Sequence, residues 1–157
     1  MGALQEAFLR DHRVLTRGLT ELVDLVEEDR FREAAVRAWE LDAAAGAHIE
    51  FEEARFYPEV EKARGAAYVD TLYDEHQSGV EAIRALEELD TSDAVDPEQK
   101  ELILKHLRRA LQHAVSCGTL LSHVTTMGEE DQRDLLDALE GFRKKGRRWT
   151  QLERRRR

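Results

Sequence analysis

One cysteine, two prolines and nine glycines are all that 157 residues contain of the types that staple or interrupt a chain. A lone cysteine, Cys117, excludes an internal disulfide and agrees with a reducing compartment. Nowhere do apolar residues run for the roughly 20 positions that a membrane-spanning helix needs, so no span is expected. The first residues, MGALQEAFLRDHR, lack the basic start and apolar stretch of a secretory signal, and a cytoplasmic location is the expectation. Alternating runs rich in Val, Ile and Thr are missing, which leaves no candidate strand. There is no Gly-rich phosphate loop, no Cys-x2-Cys pair and no Ser-His-Asp order, so phosphate and acyl chemistry have no residues to carry them.

What the chain has in quantity is Leu, Ala, Glu and Arg, all good helix formers. A hydrophobic fraction of 41% is enough for one core in a domain of this length. The net charge is −9, but residues 143–157 carry nine Lys or Arg against the single acid Glu153, so the 142 residues before them carry −17. An acidic body argues against nucleic-acid binding by the domain. Residues 1–145 are read as one domain and 146–157 as a basic tail. Solvation is the usual state of such an end, with contact to an anionic partner as the alternative.

Four long helical patterns follow. In the first, about residues 3–28, Phe8, His12, Leu15, Leu19, Leu22 and Val26 step by four and three along one stripe. The second runs from Phe31 to about Lys62, with Leu41, Ala45, His48, Glu52 and Phe56 inward; Pro58 predicts a kink or an early end. The third covers about 66–89, with Val69, Leu72, His76, Gly79, Ile83 and Leu86 on one face. After the loop DTSDAVDP, Asp96-Pro97 opens a fourth helix reaching to about 127. A shorter amphipathic segment, about 129–144, carries Leu135, Leu136, Leu139 and Phe142. The pattern predicts an all-α fold: an up-and-down antiparallel four-helix bundle with a short C-terminal fifth helix.

The inner stripes carry polar residues where leucine would serve. His12, His48, His76 and His113 stand one on each long helix, and Glu52 lies one turn after His48 on the same face. Burying four imidazoles and a carboxylate with no shared partner would cost several kcal/mol, roughly, and a metal ion removes that cost by using their lone pairs. Imidazole with carboxylate suits iron, zinc or manganese better than calcium. Glu52 has two oxygens and is able to bridge two ions, one with His12 and His48, the other with His76 and His113. Cys117 faces the same place, either as a thiolate ligand or as a small apolar residue. Tyr57 and Tyr73 are read mainly as packing residues, with a phenol ligand or hydrogen bond as the alternative. His106 is placed in a supporting or packing role, and His123 at the surface. Glu53, Glu75 and Glu81 are candidates to orient metal-bound imidazoles.

These pieces together resemble the hemerythrin-like family, the HHE cation-binding domains. The resemblance rests on Asp11-His12-Arg13, on His48 through Glu52-Glu53 to Phe56-Tyr57-Pro58, on Asp74-Glu75-His76, and on His113 within LQHAVSCGTLL, and it spans about residues 8–125. It implies an antiparallel bundle with a di-iron centre on His12, His48, His76 and His113, bridged by Glu52, binding dioxygen, nitric oxide or peroxide. Two departures stand out. The family carries a carboxylate four or five residues after its fourth-helix histidine, where this chain has Cys117 and Gly118. The oxygen carriers have a second third-helix histidine, where this chain has Leu72 and Val80. His48 to Pro58 aligns with His113 to His123 as a repeat whose second copy has lost its acids. Reversible oxygen carriage is therefore not expected. Three functions stay open: a module that binds or senses a small ligand, an iron enzyme that activates oxygen or decomposes peroxide, and a metal-free interaction scaffold. A mononuclear or zinc centre is the alternative to di-iron.

Overall fold

The structure, a computed structural model, describes residues 2–152. It is all-helical, with no strand among these residues. Helix α1 (Ala3–Glu27) is followed by α2 (Phe31–Phe51), which continues through a π-helical stretch, Glu52–Phe56, into α3 (Tyr57–Arg64). Next come α4 (Ala66–Glu87) and α5 (Pro97–Cys117), the latter running on through a 3-10 turn, Gly118–Leu120, into α6 (Leu121–Thr125). Helix α7 (Glu129–Lys145) and a 3-10 turn, Trp149–Gln151, complete the described chain. The helices α1 and α4 each pack against both α2 and α5, so the four long helices close a ring. Helix α7 lies across α2 and α1. No helix is long and apolar enough to cross a membrane.

Local sequence accounts for these boundaries. The four-three stripe of α1 is buried from Leu4 through Phe8, His12, Leu15, Leu19 and Leu22 to Val26. At the start of α5 the Asp96 side chain accepts the Glu98 N–H at 2.8 Å, and Pro97 fills the first helical position, where no N–H is needed. Acids open α7 and bases close it, as its dipole favours.

The chain does not stop at Pro58. Proline has no N–H to give the carbonyl four residues back, and the helix answers by widening: the Tyr57 N–H bonds the Glu52 carbonyl, five residues away. At this wider spacing Pro58 stands five residues after Glu53 and has no N–H to offer its carbonyl. The Tyr73 hydroxyl on α4 supplies the bond at 2.8 Å. The strain of one proline is thus absorbed within one turn, and the helix persists to Arg64.

Apolar side chains gather in two clusters. One holds Leu19, Leu22, Ile49, Ile83, Leu86 and Leu107; the other holds Phe8, Phe51, Phe56, Val69, Leu120 and Leu139. Between them lies a polar layer of His12, His48, Glu52, His76 and His113, none more than 6% exposed.

Residues 146–152, which composition sets apart as part of a basic tail, turn back onto the bundle. Thr150 donates to Asp42 from its N–H at 2.8 Å and its hydroxyl at 2.7 Å, and Arg148 Nε donates to the same carboxylate at 3.0 Å. Arg147 pairs with Glu50, and the Arg148 guanidinium sits 3.3 Å over the Trp39 ring. These contacts lower Trp149 into the core. Two glycines make room: a β-carbon at Gly46 would overlap the Arg147 carbonyl, and one at Gly79 would overlap the Trp149 indole. Composition alone does not reveal that these two arginines meet acids on α2. Residues 153–157, the rest of that tail, lie outside the described residues.

Two outcomes are expected. Gly46→Ala should destabilise the fold by about 1–3 kcal/mol, the usual cost of overpacking. In a Trp39→Phe background it should also shift Trp149 emission to the red, whereas Gly141→Ala, with nothing within 4 Å of the new methyl, should be neutral or slightly stabilising. Denaturant unfolding and fluorescence check both.

The second outcome concerns Glu87. Burial and its hydrogen bond and charge contact with Asp42 push its carboxyl to about 7, against the pull of Arg148. Because this pKa is raised on folding, the linked stability is fully present below the unfolded value, about 4.5, and is lost as pH rises through about 7. The wild type should therefore lose more stability than Glu87→Gln between about pH 5 and pH 8, read as the change in unfolding midpoint.

Candidate metal centre

The polar layer is organised around one carboxylate. Glu52 is fully buried. Its Oε1 lies 3.2 Å from His12 Nε2, 3.1 Å from His48 Nε2 and 3.0 Å from Cys117 Sγ. Its Oε2 lies 3.0 Å from His76 Nε2 and 3.1 Å from the Tyr57 hydroxyl. His113 Nε2 reaches the same hydroxyl at 3.2 Å, and His76 Nε2 reaches it at 3.0 Å. Helices α1, α2, α4 and α5 each bring one imidazole, as the inward stripes predict. Two groups have donor atoms all within 4.8 Å of one another: His12, Glu52 and Cys117, and Glu52, His76 and His113.

Each imidazole is also held from behind. His48 Nδ1 donates to Asp11 at 3.2 Å, His76 Nδ1 to Glu53 at 3.0 Å, His113 Nδ1 to Glu75 at 2.7 Å, and His12 Nδ1 to the Ala114 carbonyl at 3.2 Å. Carboxylates and carbonyls only accept, so the proton of each neutral ring must sit on Nδ1, and Nε2 offers a lone pair to the centre. Lone pairs and a carboxylate facing one another repel unless cations stand between them. His48 Nε2 shows the consequence: although close to Glu52, it has no hydrogen-bond partner among the described residues. An outer acceptor on each ring and an inner lone pair is how metal-binding histidines are arranged, and the residues present fit a metal ion.

The electrostatics agree. Burial pulls His48 and His76 down, but Glu52 with Asp11 raises the first and Glu52 with Glu53 the second, each to about 9. Burial alone would push Glu52 up, yet the surrounding imidazoles hold it well below the usual carboxylate range. Burial and the neighbouring His76 lower His113. Burial and the Glu52 charge push the Cys117 thiol well up. The same acids that raise these two imidazoles would favour a cation at Nε2, which would take the place of a proton there.

Asp11 is itself anchored. Arg143 of α7 donates to both its oxygens, at 2.9 Å each. Burial raises the Asp11 pKa, but His48 and Arg143 together bring it below its ordinary value. Phe8 stacks on His12 with ring centroids 4.4 Å apart.

Of the two roles that the sequence leaves open for Tyr57, packing and a phenol hydrogen bond or ligand at the centre, the structure puts its hydroxyl at the centre of the layer. In an undistorted helix, positions 48, 52 and 56 share a face. The π stretch inserts one residue, so Tyr57 takes the place that regular spacing gives to Phe56. Pro58, from which the sequence predicts a kink or an early end, is the signal for this change of spacing. Glu53 and Glu75 orient rings as expected, whereas Glu81 accepts from Gln77 at 2.8 Å. His106 stays outside the cluster, and His123, half-buried rather than at the surface, packs edge-on to Phe56.

A helical ring with inward imidazoles around one buried carboxylate defines a cation-binding bundle. The family description of the hemerythrin HHE cation binding domain matches residues 3–116, and the chain belongs to that family. Helix α7 and the turn after it lie beyond the matched residues. Neither the curated proteins nor the solved structures give a match.

His48→Ala and Glu52→Ala are expected to lose bound metal far more than His106→Ala or His123→Ala, each variant retaining helical circular dichroism. Elemental analysis after gel filtration checks this, and equal metal content in all four would place the centre elsewhere.

Proposed function

We propose that this protein holds non-haem iron, as a di-iron centre, on His12, His48, Glu52, His76 and His113 within an up-and-down antiparallel bundle, and that it binds or senses a small ligand such as dioxygen, nitric oxide or peroxide. One observation carries the reading: all four imidazoles are fixed through Nδ1 by acceptor-only groups, with Nε2 of His12, His48 and His76 turned to Glu52 and that of His113 to the Tyr57 hydroxyl beside it. Contacts such as Glu21 with Arg37 and Asp11 with His48, where one residue number rises as the other falls, support the antiparallel pairing of α1 and α2.

Iron held by these residues would supply a redox-active ion able to take up a small ligand. The protein does the rest. Asp11, Glu53, Glu75 and the Ala114 carbonyl set the ring orientations and raise the basicity of Nε2. Phe8, Phe51 and Phe56 keep bulk water from one side of the layer. Glu52, with Oε1 beside His12 and His48 and Oε2 beside His76, would hold cations on either oxygen and neutralise part of their mutual repulsion.

A second reading, an enzyme that activates oxygen or decomposes peroxide, is favoured by Cys117. Its sulfur lies 3.0 Å from Glu52, where the family pattern leads one to expect a second carboxylate. A centre with one bridging acid is less saturated by protein ligands.

The test is an anaerobic ferrous titration followed by spectra with nitric oxide, dioxygen and peroxide. The expected result is iron uptake that is unequal or below about two irons per chain, the side of His48 and Glu52 filling more tightly because the second bridging acid is missing, and a new visible spectrum with nitric oxide. Catalytic oxygen release from peroxide would select the enzyme reading. A fully helical protein that takes up no metal would sink both and leave an interaction scaffold.

A further inference from the structure

We infer that α2 is an interface helix, through which two copies of this chain pair on Val36, Trp39 and the groove beside them. This pairing goes beyond the metal centre and does not depend on what the centre holds.

A helix at the surface of a bundle turns apolar residues inward and charged residues outward. Helix α1 follows that rule, with Arg10, Arg13, Arg17, Thr20 and Asp24 exposed. Helix α2 does not. Its inner side buries Ala34, Ala38, Leu41, Ala45 and Ile49, yet from position 35 to 47 its exposed residues are Val36, Trp39, Glu40, Ala43 and Ala44. One charge in that set is few for a chain that is 36% charged. Val36 is 59% exposed and Trp39 58%. The exposed Val14 on α1 and Leu102 on α5 instead have charged neighbours, Arg13 and Arg17 for the first, Glu98 and Lys105 for the second.

Trp39 forms a knob on this face. The Arg148 guanidinium covers one side of its ring at 3.3 Å and donates to its backbone carbonyl at 2.8 Å, so the indole is held while much of it stays open. A side chain already fixed loses little freedom on docking, one reason why tryptophan anchors interfaces. Beside the knob, between α1 and α2, runs a groove of about 440 Å³ lined by Leu25, Arg32, Glu33, Val36, Arg37 and Glu40. Leu25 and Val36 give it an apolar surface. Val36 and Trp39 are less than one turn apart, so knob and groove belong to one face. A two-fold axis lets each copy lay its indole into the groove of the other, and the contact closes as a dimer instead of growing into a filament.

Charge selects a second copy as the occupant. The rim of the groove holds two arginines and two glutamates, so it is neutral, and each sign on one copy finds the opposite sign on the other. The first 142 residues as a whole carry −17, and two such bodies repel. On this face the repulsion is least. A strongly acidic or strongly basic partner would require a rim of one sign. Arg37 is held by Glu21 and Glu40, whereas Arg32 makes no ion pair among the described residues and is the cation left to meet an acid of the second copy. The exposed stretch is only about 20 Å long. A standard interface buries about 800 Å² per partner, which puts this one at the small end, with a dissociation constant of about micromolar order.

Light scattering of the full chain from about 1 µM to about 100 µM should show the mass rise from one chain towards two. Val36→Glu and Trp39→Ala should each stay at one chain with unchanged helical circular dichroism. Leu102→Glu, at an exposed apolar position on another helix, should pair as the wild type does. Arg32→Glu should weaken pairing, as should Glu33→Arg combined with Glu40→Arg. Mixing those two proteins in equal amounts should restore it, because each reversed charge again meets its opposite. A wild type that stays at one chain up to about 100 µM overturns the inference, even if some other protein proves to bind this face. So does a dimer that Val36→Glu and Trp39→Ala leave intact, since its contact lies elsewhere. Where a variant folds poorly, the charge-reversed mixture and the wild-type mass still decide. Metal content is not read here, so this outcome and that of the iron titration are separate.

Discussion

An ionised carboxylate with no exposed surface, placed on the axis of a bundle, costs several kcal/mol, roughly, unless positive charge is brought to it. Much of this molecule can be understood from how that cost is met at Glu52. Four imidazoles approach it or its neighbouring phenol, one from each long helix. Each imidazole in turn needs an acceptor behind it, and three of the four acceptors are further acids: Asp11, Glu53 and Glu75. Of these, Asp11 is balanced by Arg143. Charge thus alternates outward from the axis in shells, each fixing the geometry of the one inside it. The apolar clusters above and below do not compete with this layer. They exclude water from it and so strengthen every contact within it.

The four helical stripes and the four inward histidines were legible in the sequence because both follow from a period of 3.6 residues. Glu52 was legible for the same reason, lying one turn after His48. Tyr57 was not, since its position depends on a change of period that starts at Glu52 and that only Pro58 announces. The orienting role of Asp11 was hidden in another way: the residue sits beside His12 in the chain but serves His48 on the next helix. A motif read along one helix does not show a partnership made across two.

The final described residues were obscured by composition. Arg147 and Arg148 belong to the most basic stretch of the chain, and basic ends are normally solvated. Their partners, Glu50, Asp42 and Glu87, lie on α2 and α4, among the acids that give the body its negative charge. The imbalance between acidic body and basic end is thus partly an attraction within the molecule. Trp149 was the available clue, being the kind of residue that a free end has little reason to carry.

The pairing of Asp11 with Arg143 has a consequence for the order in which the molecule is completed. These two residues are 132 positions apart, and the carboxylate that steadies the His48 ring belongs to the first helix while the guanidinium that steadies the carboxylate belongs to α7. A chain emerging from its amino end therefore has all four histidines in hand before the brace on His48 exists. The four ligand-bearing helices thus contain every imidazole but not the guanidinium behind one of them, and a bundle without α7 would keep His48 while leaving the carboxylate that orients it without its cation.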